Sequence, residues 1–181
     1  MELYHATTKT YQIGKTYNAK DYKDYSHFFN RLSSEGKEVV DKLDSFRPEG
    51  IPARKTSMFF FSNLDYCSYF AHKEYSNVPI HVYKVNVPDA KGGFPMCIVQ
   101  TIFKQINSIK DEVIAAMIDE YWNPKDDWNF MEYIGQQMTI IEECEVTKKH
   151  IVANMHYNID CEFANTKQYF KNHQSHIEAH E

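Results

Sequence analysis

The sequence predicts an α+β fold in one domain. Strand-like runs are mixed with early and middle helical stretches, and the later strands follow one another without regular strand–helix alternation, which favours α+β over a doubly wound sheet. With 181 residues, 43% of them apolar, the chain can bury a core that needs no covalent staples. The domain is expected over residues 1–165, with 166–181 as a polar C-terminal tail or short helix.

The elements follow in order. Residues 2–6 read as a first strand, followed by a polar, tyrosine-rich stretch that turns at Gly14. Residues 24–45 read as helical, with Phe28, Phe29, Leu32, Val39, Val40 and Leu43 as an intermittent apolar stripe, broken near Ser33-Ser34 or Gly36. Pro48, Gly50 and Pro52 impose a loop. Ser57–Ser62, with its Met-Phe-Phe-Phe run, reads as a buried strand. A short helix from Asn63 or Asp65 carries Tyr66, Tyr69 and Phe70. Residues 80–87 form a strand closed by Pro88 and Gly92-Gly93. A helix over 109–121 is predicted from apolar spacing and a capping-box pair, Ser108 with Asp111. Asn123-Pro124 stops it. Strands near 129–134 and 138–147 flank a turn at Gly135, and shorter strands are expected at 151–155 and 159–163.

Composition narrows the function classes. A formal charge of −5 and only three arginines, Arg31, Arg47 and Arg54, argue against backbone-driven nucleic-acid binding. Lys148-Lys149-His150 is too small a basic edge to change that. No apolar run approaches membrane-spanning length, and the N-terminal stretch lacks an apolar signal segment, so a cytoplasmic protein without a membrane partner is expected. The four cysteines are widely spaced with no CxxC pair, which points to reduced, partly buried thiols and to no metal. Phosphate-cradling GxxxxGK, GxGxxG and zinc-binding HExxH patterns are absent. The 13 Tyr and 12 Phe suit a core, and also a cleft that stacks planar ligands.

Three polar signals embedded in apolar runs are the candidates for chemistry. They are His5 in Leu3-Tyr4-His5-Ala6-Thr7, Arg54 and Ser57 ahead of Phe59-Phe60-Phe61, and Glu132 in Phe130-Met131-Glu132-Tyr133-Ile134. An imidazole, a hydroxyl and a carboxylate beside three predicted strands are expected to converge on one cleft. The acidic cluster Glu142, Glu143 and Glu145 lies at a strand exit. It reads as a solvated edge, with contact to an acceptor as the alternative.

In their order these segments resemble the ADP-ribosyltransferase superfamily, especially its small bacterial and phage toxin-like members. Leu3-Tyr4-His5-Ala6-Thr7 looks like the first strand of that family, whose histidine or arginine contacts a ribose of NAD, and Gly14 ends a loop with a family counterpart. Arg54-x-x-Ser57-x-Phe59-Phe60 looks like its second segment. The short helix Tyr66–Ala71 looks like the one that packs under nicotinamide, and Glu132 occupies the place of the late glutamate. One branch of the family has a tyrosine in the middle strand, where this chain has Met58 to Phe61. Another pairs arginine with serine, where this chain has His5 with Ser57.

The resemblance implies a split antiparallel core, two sheets around an NAD cleft, with flanking helices. It implies transfer of ADP-ribose to a macromolecular acceptor, more readily protein than nucleic acid, with release of nicotinamide. In that reading Glu132 and Ser57 are catalytic: the carboxylate stabilises positive character at the ribose C1 carbon and Ser57 fixes its rotamer. His5 meets the ribose, Arg54 the diphosphate, and Tyr66, Tyr69 and Phe70 the nicotinamide, with Ala6, Thr7, Ser57 and Phe59 also among the NAD-binding residues. The alternatives are an NAD glycohydrolase with water as acceptor, and a catalytically inactive binding module of the same fold.

Overall fold

The computed structural model describes residues 1–21, 32–74, 79–105, 110–125 and 127–146, together with 166, 168, 169, 171 and 172, which are helical. The strands are β1 (Glu2–Thr7), β2 (Thr16–Asn18), β3 (Met58–Phe61), β4 (His81–Asn86), β5 (Lys91–Pro95), β6 (Met131–Gly135) and β7 (Gln137–Cys144). The α-helices are α1 (Ser34–Ser45), α2 (Leu64–Glu74), α3 (Met96–Gln105) and α4 (Asp111–Trp122), with 3-10 turns at Ala19–Asp21 and Arg54–Thr56.

The strands form one antiparallel sheet in the order β2-β7-β4-β1-β3-β6-β5. This corrects the expectation of two apposed sheets, because β1 pairs on both its edges. The join is narrow: β1 meets β4 along its whole length, but meets β3 only at Tyr4 opposite Phe61. Strand alternation then sorts the side chains. Tyr4, Phe61 and Glu132 stand in one cross-strand row and share a face. On the opposite face His5 stands across from Tyr83, next to Phe60.

Helices α1 to α4 pack on the face of Phe61 and Glu132. Val39 and Leu43 of α1, Ile98 and Ile102 of α3, and Met117 and Tyr121 of α4 close over Phe94 and Ile134. Cys67 and Ala71 of α2 close over Phe61 and Val82. The other face buries Leu3, Met58, Phe60, Val85, Val87 and Met138 beneath Ala19, with Tyr11 and Tyr17 packed alongside. Burying a large apolar side chain contributes about 1.5–3 kcal/mol, so these layers supply most of the driving force.

Several elements differ from expectation. Helix α1 begins at Ser34, where the Ser33 hydroxyl caps it by accepting the Gly36 N–H at 3.2 Å; residues 24–31 of the expected helix lie outside the described residues. Strand β5 stands where Gly92-Gly93 predicts a turn, in the sequence Lys-Gly-Gly-Phe-Pro. Gly92 belongs in the strand for a packing reason: a Cβ there would stand 2.4 Å from Tyr133 Cδ1 and 2.7 Å from its Cα. The run Met96–Gln105, for which the sequence pattern predicts no element, is helix α3. Helix α4 starts after Lys110, which makes no side-chain cap, and Ser108 of the expected capping box lies outside the described residues. Asp111 and Glu112 lie in the first turn, where the helix dipole favours acids. The expected strands at 151–155 and 159–163 lie outside the described residues, as does Cys161, whereas Cys67, Cys97 and Cys144 are free thiols.

Candidate functional site

Arg54 is fixed first by its backbone. Asp44, buried near the end of α1, accepts the Arg54 N–H at 2.6 Å and the Lys55 N–H at 3.3 Å, and so anchors the 3-10 turn beneath that helix. The Arg54 side chain then runs inward to 3% exposure, its guanidinium lying 4.8 Å from the Phe59 ring centre and 5.2 Å from that of Tyr121. Such stacking suits a flat, weakly hydrated cation.

Arg54 Nη1 donates to Glu132 Oε1 and to the Tyr121 hydroxyl, and that hydroxyl donates to the same Glu132 oxygen at 2.6 Å. Three elements therefore meet at one carboxylate: the turn before β3, helix α4 and strand β6. Burial alone disfavours the Arg54 charge, but Glu132 and Tyr121 outweigh it and hold the pKa above its ordinary value. Burial pushes the Tyr121 phenol well up, so it stays a neutral donor. Glu132 itself is 1% exposed. Arg54 Nε is buried without a hydrogen-bond partner, a loss that costs about 1–3 kcal/mol where such a group is unmet.

Chemically, this cluster is a charge-balanced internal tie. The Glu132 carboxylate faces the Arg54 guanidinium and the Tyr121 phenol and is closed off from solvent. The pair resists being broken, because removing either partner strands a buried charge.

The remaining candidates do not converge on it. His5 lies on the opposite face of the sheet from Glu132. Its Nδ1–H donates to the Phe59 carbonyl at 3.0 Å, so the imidazole bridges β1 to β3 where the ladder between them is a single pair. Burial lowers its pKa, partly offset by that bond. His5 and Glu132, expected to converge on one cleft, lie on opposite faces of the sheet, because side chains alternate along the adjacent strands. Ser57, fully buried, donates to the Ala53 carbonyl at 2.7 Å and accepts from Gln136 Nε2 at 3.0 Å, not bridging to Glu132 as expected.

Ala6 packs toward α2, while the Thr7 hydroxyl accepts the Lys9 N–H at 3.1 Å. Tyr66, Tyr69 and Phe70 lie on the Glu132 face, but their rings pack on core aromatics: Tyr66 and Tyr69 edge-on to Phe130, at 5.2 and 6.4 Å, and Phe70 on Phe61 at 5.2 Å. Glu143 bonds His81 Nδ1 at 2.6 Å on the partly exposed rim.

Three participants escaped the sequence. Tyr121 was only a helical position, although its place beside Trp122 on a buried stripe was a signal. Asp44 and Glu120 look like ordinary surface acids. Both are buried, and Glu120 accepts the Trp128 Nε1–H and the Lys125 N–H, each at 2.9 Å, which fixes the chain entering β6. Among the described residues no group of three or more His, Cys, Asp or Glu is placed to hold a metal ion, and no helix is long and apolar enough to cross a membrane. No protein-family model matches the chain, and no curated protein matches it in sequence.

Proposed function

We propose that this chain is an ADP-ribosyltransferase-like binding module that holds NAD, or a part of it, without turning it over. The observation that carries the absence of turnover is the closed Arg54–Tyr121–Glu132 cluster, in which the one carboxylate suited to the chemistry is committed to internal partners. Support for a nicotinamide nucleotide as ligand comes from the resemblance of three segments, together with their seating on neighbouring strands β1, β3 and β6 and on the turn that leads into β3.

A second reading, transfer of ADP-ribose to a macromolecular acceptor, is favoured by one observation. Arg54 Nε is an unmet donor within the cluster, and an incoming phosphate oxygen that satisfied it would draw Arg54 away from Glu132. Incubating the purified chain with adenine-labelled NAD, alone and in a cell extract, separates the possibilities. Retention of intact labelled NAD without product supports the binding module. Labelled protein supports transfer, free ADP-ribose supports hydrolysis, and either product, if lost in Glu132→Gln, overturns the first reading.

A further inference from the structure

The sheet face opposite helices α1 to α4 carries an aromatic box filled by the chain itself. The loop between β1 and β2, residues 8–15, is exposed at every position except Tyr11, which turns inward. The Tyr11 ring stacks on the His5 imidazole, with centres 6.1 Å apart and planes 25° apart. It also lies 4.6 Å from the Tyr17 ring and 5.5 Å from the Tyr83 ring. Four rings thus gather from three strands and one loop.

The loop is fastened differently at its end and at its middle. Near β2 it joins the sheet by main-chain bonds, Gly14 N–H to the Ile140 carbonyl at 2.8 Å and Ile140 N–H to the Lys15 carbonyl at 3.1 Å. Gly14 permits this turn, with φ at +80°. At its middle, the Tyr11 and Gln12 N–H groups donate to the hydroxyls of Tyr83 and Tyr17, each at 3.0 Å. Side-chain hydroxyls can rotate to water or to a ligand at small cost, whereas a ladder bond cannot.

We infer that Tyr11 is a removable plug, occupying a site that takes a planar heteroaromatic ring such as nicotinamide or a nucleobase. The inference rests on the binding reading above and names where the ring goes. His5 and Tyr83 form the walls. The His5 Nδ1–H is engaged by Phe59, which leaves Nε2 of the neutral ring as the acceptor for an amide or exocyclic amine. An incoming ring replaces the Tyr11 ring contacts, and the loop swings out about its Gly14 end.

The test compares wild type, Tyr11→Ala and Tyr11→Phe for binding of nicotinamide, AMP and NAD by calorimetry. In parallel, hydrogen exchange is followed at the Tyr11 and Gln12 amides of the wild type. Removing the plug should tighten binding of nicotinamide or AMP by about tenfold or more, from the loss of several competing ring contacts. Y11F, which keeps the ring, should bind like wild type. In the wild type, ligand should speed exchange at both amides, a readout that needs no variant to fold. Equal affinity in wild type and Y11A, with both amides still protected when NAD or AMP binds, overturns the plug and leaves the binding reading standing. No binding of any of the three to wild type or to folded Y11A overturns both.

Discussion

Glu132→Gln separates an internal tie from a catalytic carboxylate by stability alone. Arg54 is 3% exposed and Glu132 1%, so amide substitution leaves a guanidinium buried against Phe59 and Tyr121 without its counter-charge. Breaking a buried pair by removing one partner costs about 3–5 kcal/mol. For a chain of this size, each kcal/mol lowers Tm by roughly 2–4 °C, so a fall of roughly 6–20 °C is expected. Calorimetry and urea unfolding followed by circular dichroism measure it, and the urea midpoint should fall with the slope unchanged. A carboxylate kept in place for chemistry at a stability cost behaves oppositely, its neutralisation leaving the fold as stable or more so. A Glu132→Gln Tm within about 2 °C of wild type would refute the tie.

The double variant Arg54→Met, Glu132→Leu should recover most of the stability lost by either single change, since hydrophobic replacement of a buried pair is often neutral or favourable; additive losses in urea unfolding would contradict this. His5 has a pKa below its ordinary 6.5 in the folded chain, so the unfolded chain takes up its proton first. Its contribution is therefore intact above about pH 6.5 and lost as pH falls from there through the depressed folded value. His5→Asn should flatten the decline in Tm between pH 7.5 and 5, and a parallel decline in both proteins would contradict it. Gly92→Ala, which drives a Cβ onto Tyr133, should cost about 1–3 kcal/mol in urea unfolding, with no change as the contrary result. Burial pushes the Cys67 thiol well up, and Cys97 is fully buried. Both should resist a disulfide reagent at neutral pH until denaturant is added, as peptide mapping would show; rapid labelling in the native chain would contradict their burial.

Much of the architecture was legible where pattern and burial agree. Residues 2–6, 57–62 and 80–87 carry apolar runs dense enough to fix β1, β3 and β4, and the Ile109–Tyr121 spacing fixes α4 to within a turn. Two of the misses share one cause. Strand β5 and the loop residue Tyr11 owe their places to partners far along the chain: Gly92 lies against Tyr133, and Tyr11 lies against Tyr83. Short-range composition gives Lys-Gly-Gly-Phe-Pro the look of a turn, and only the tertiary contact makes it a strand. At the site, Arg54 and Glu132 stand out in the sequence as charges beside apolar runs, and the structure joins the two. Their roles were not visible, because a residue's face depends on strand register, and register was unknown. One paired position, Tyr4 opposite Phe61, puts Tyr4 with Glu132 and sends His5 to the other side.

The most direct test of Glu132 as a closed internal carboxylate is the release of free nicotinamide from NAD by the purified chain, followed by chromatography over hours. Wild type and Glu132→Gln are compared at a temperature where both are folded. The expected result is no release above the buffer blank from either protein. Nicotinamide release by wild type that disappears in the Glu132→Gln protein would contradict it, because the carboxylate would then have to leave Arg54 and Tyr121 to act on substrate.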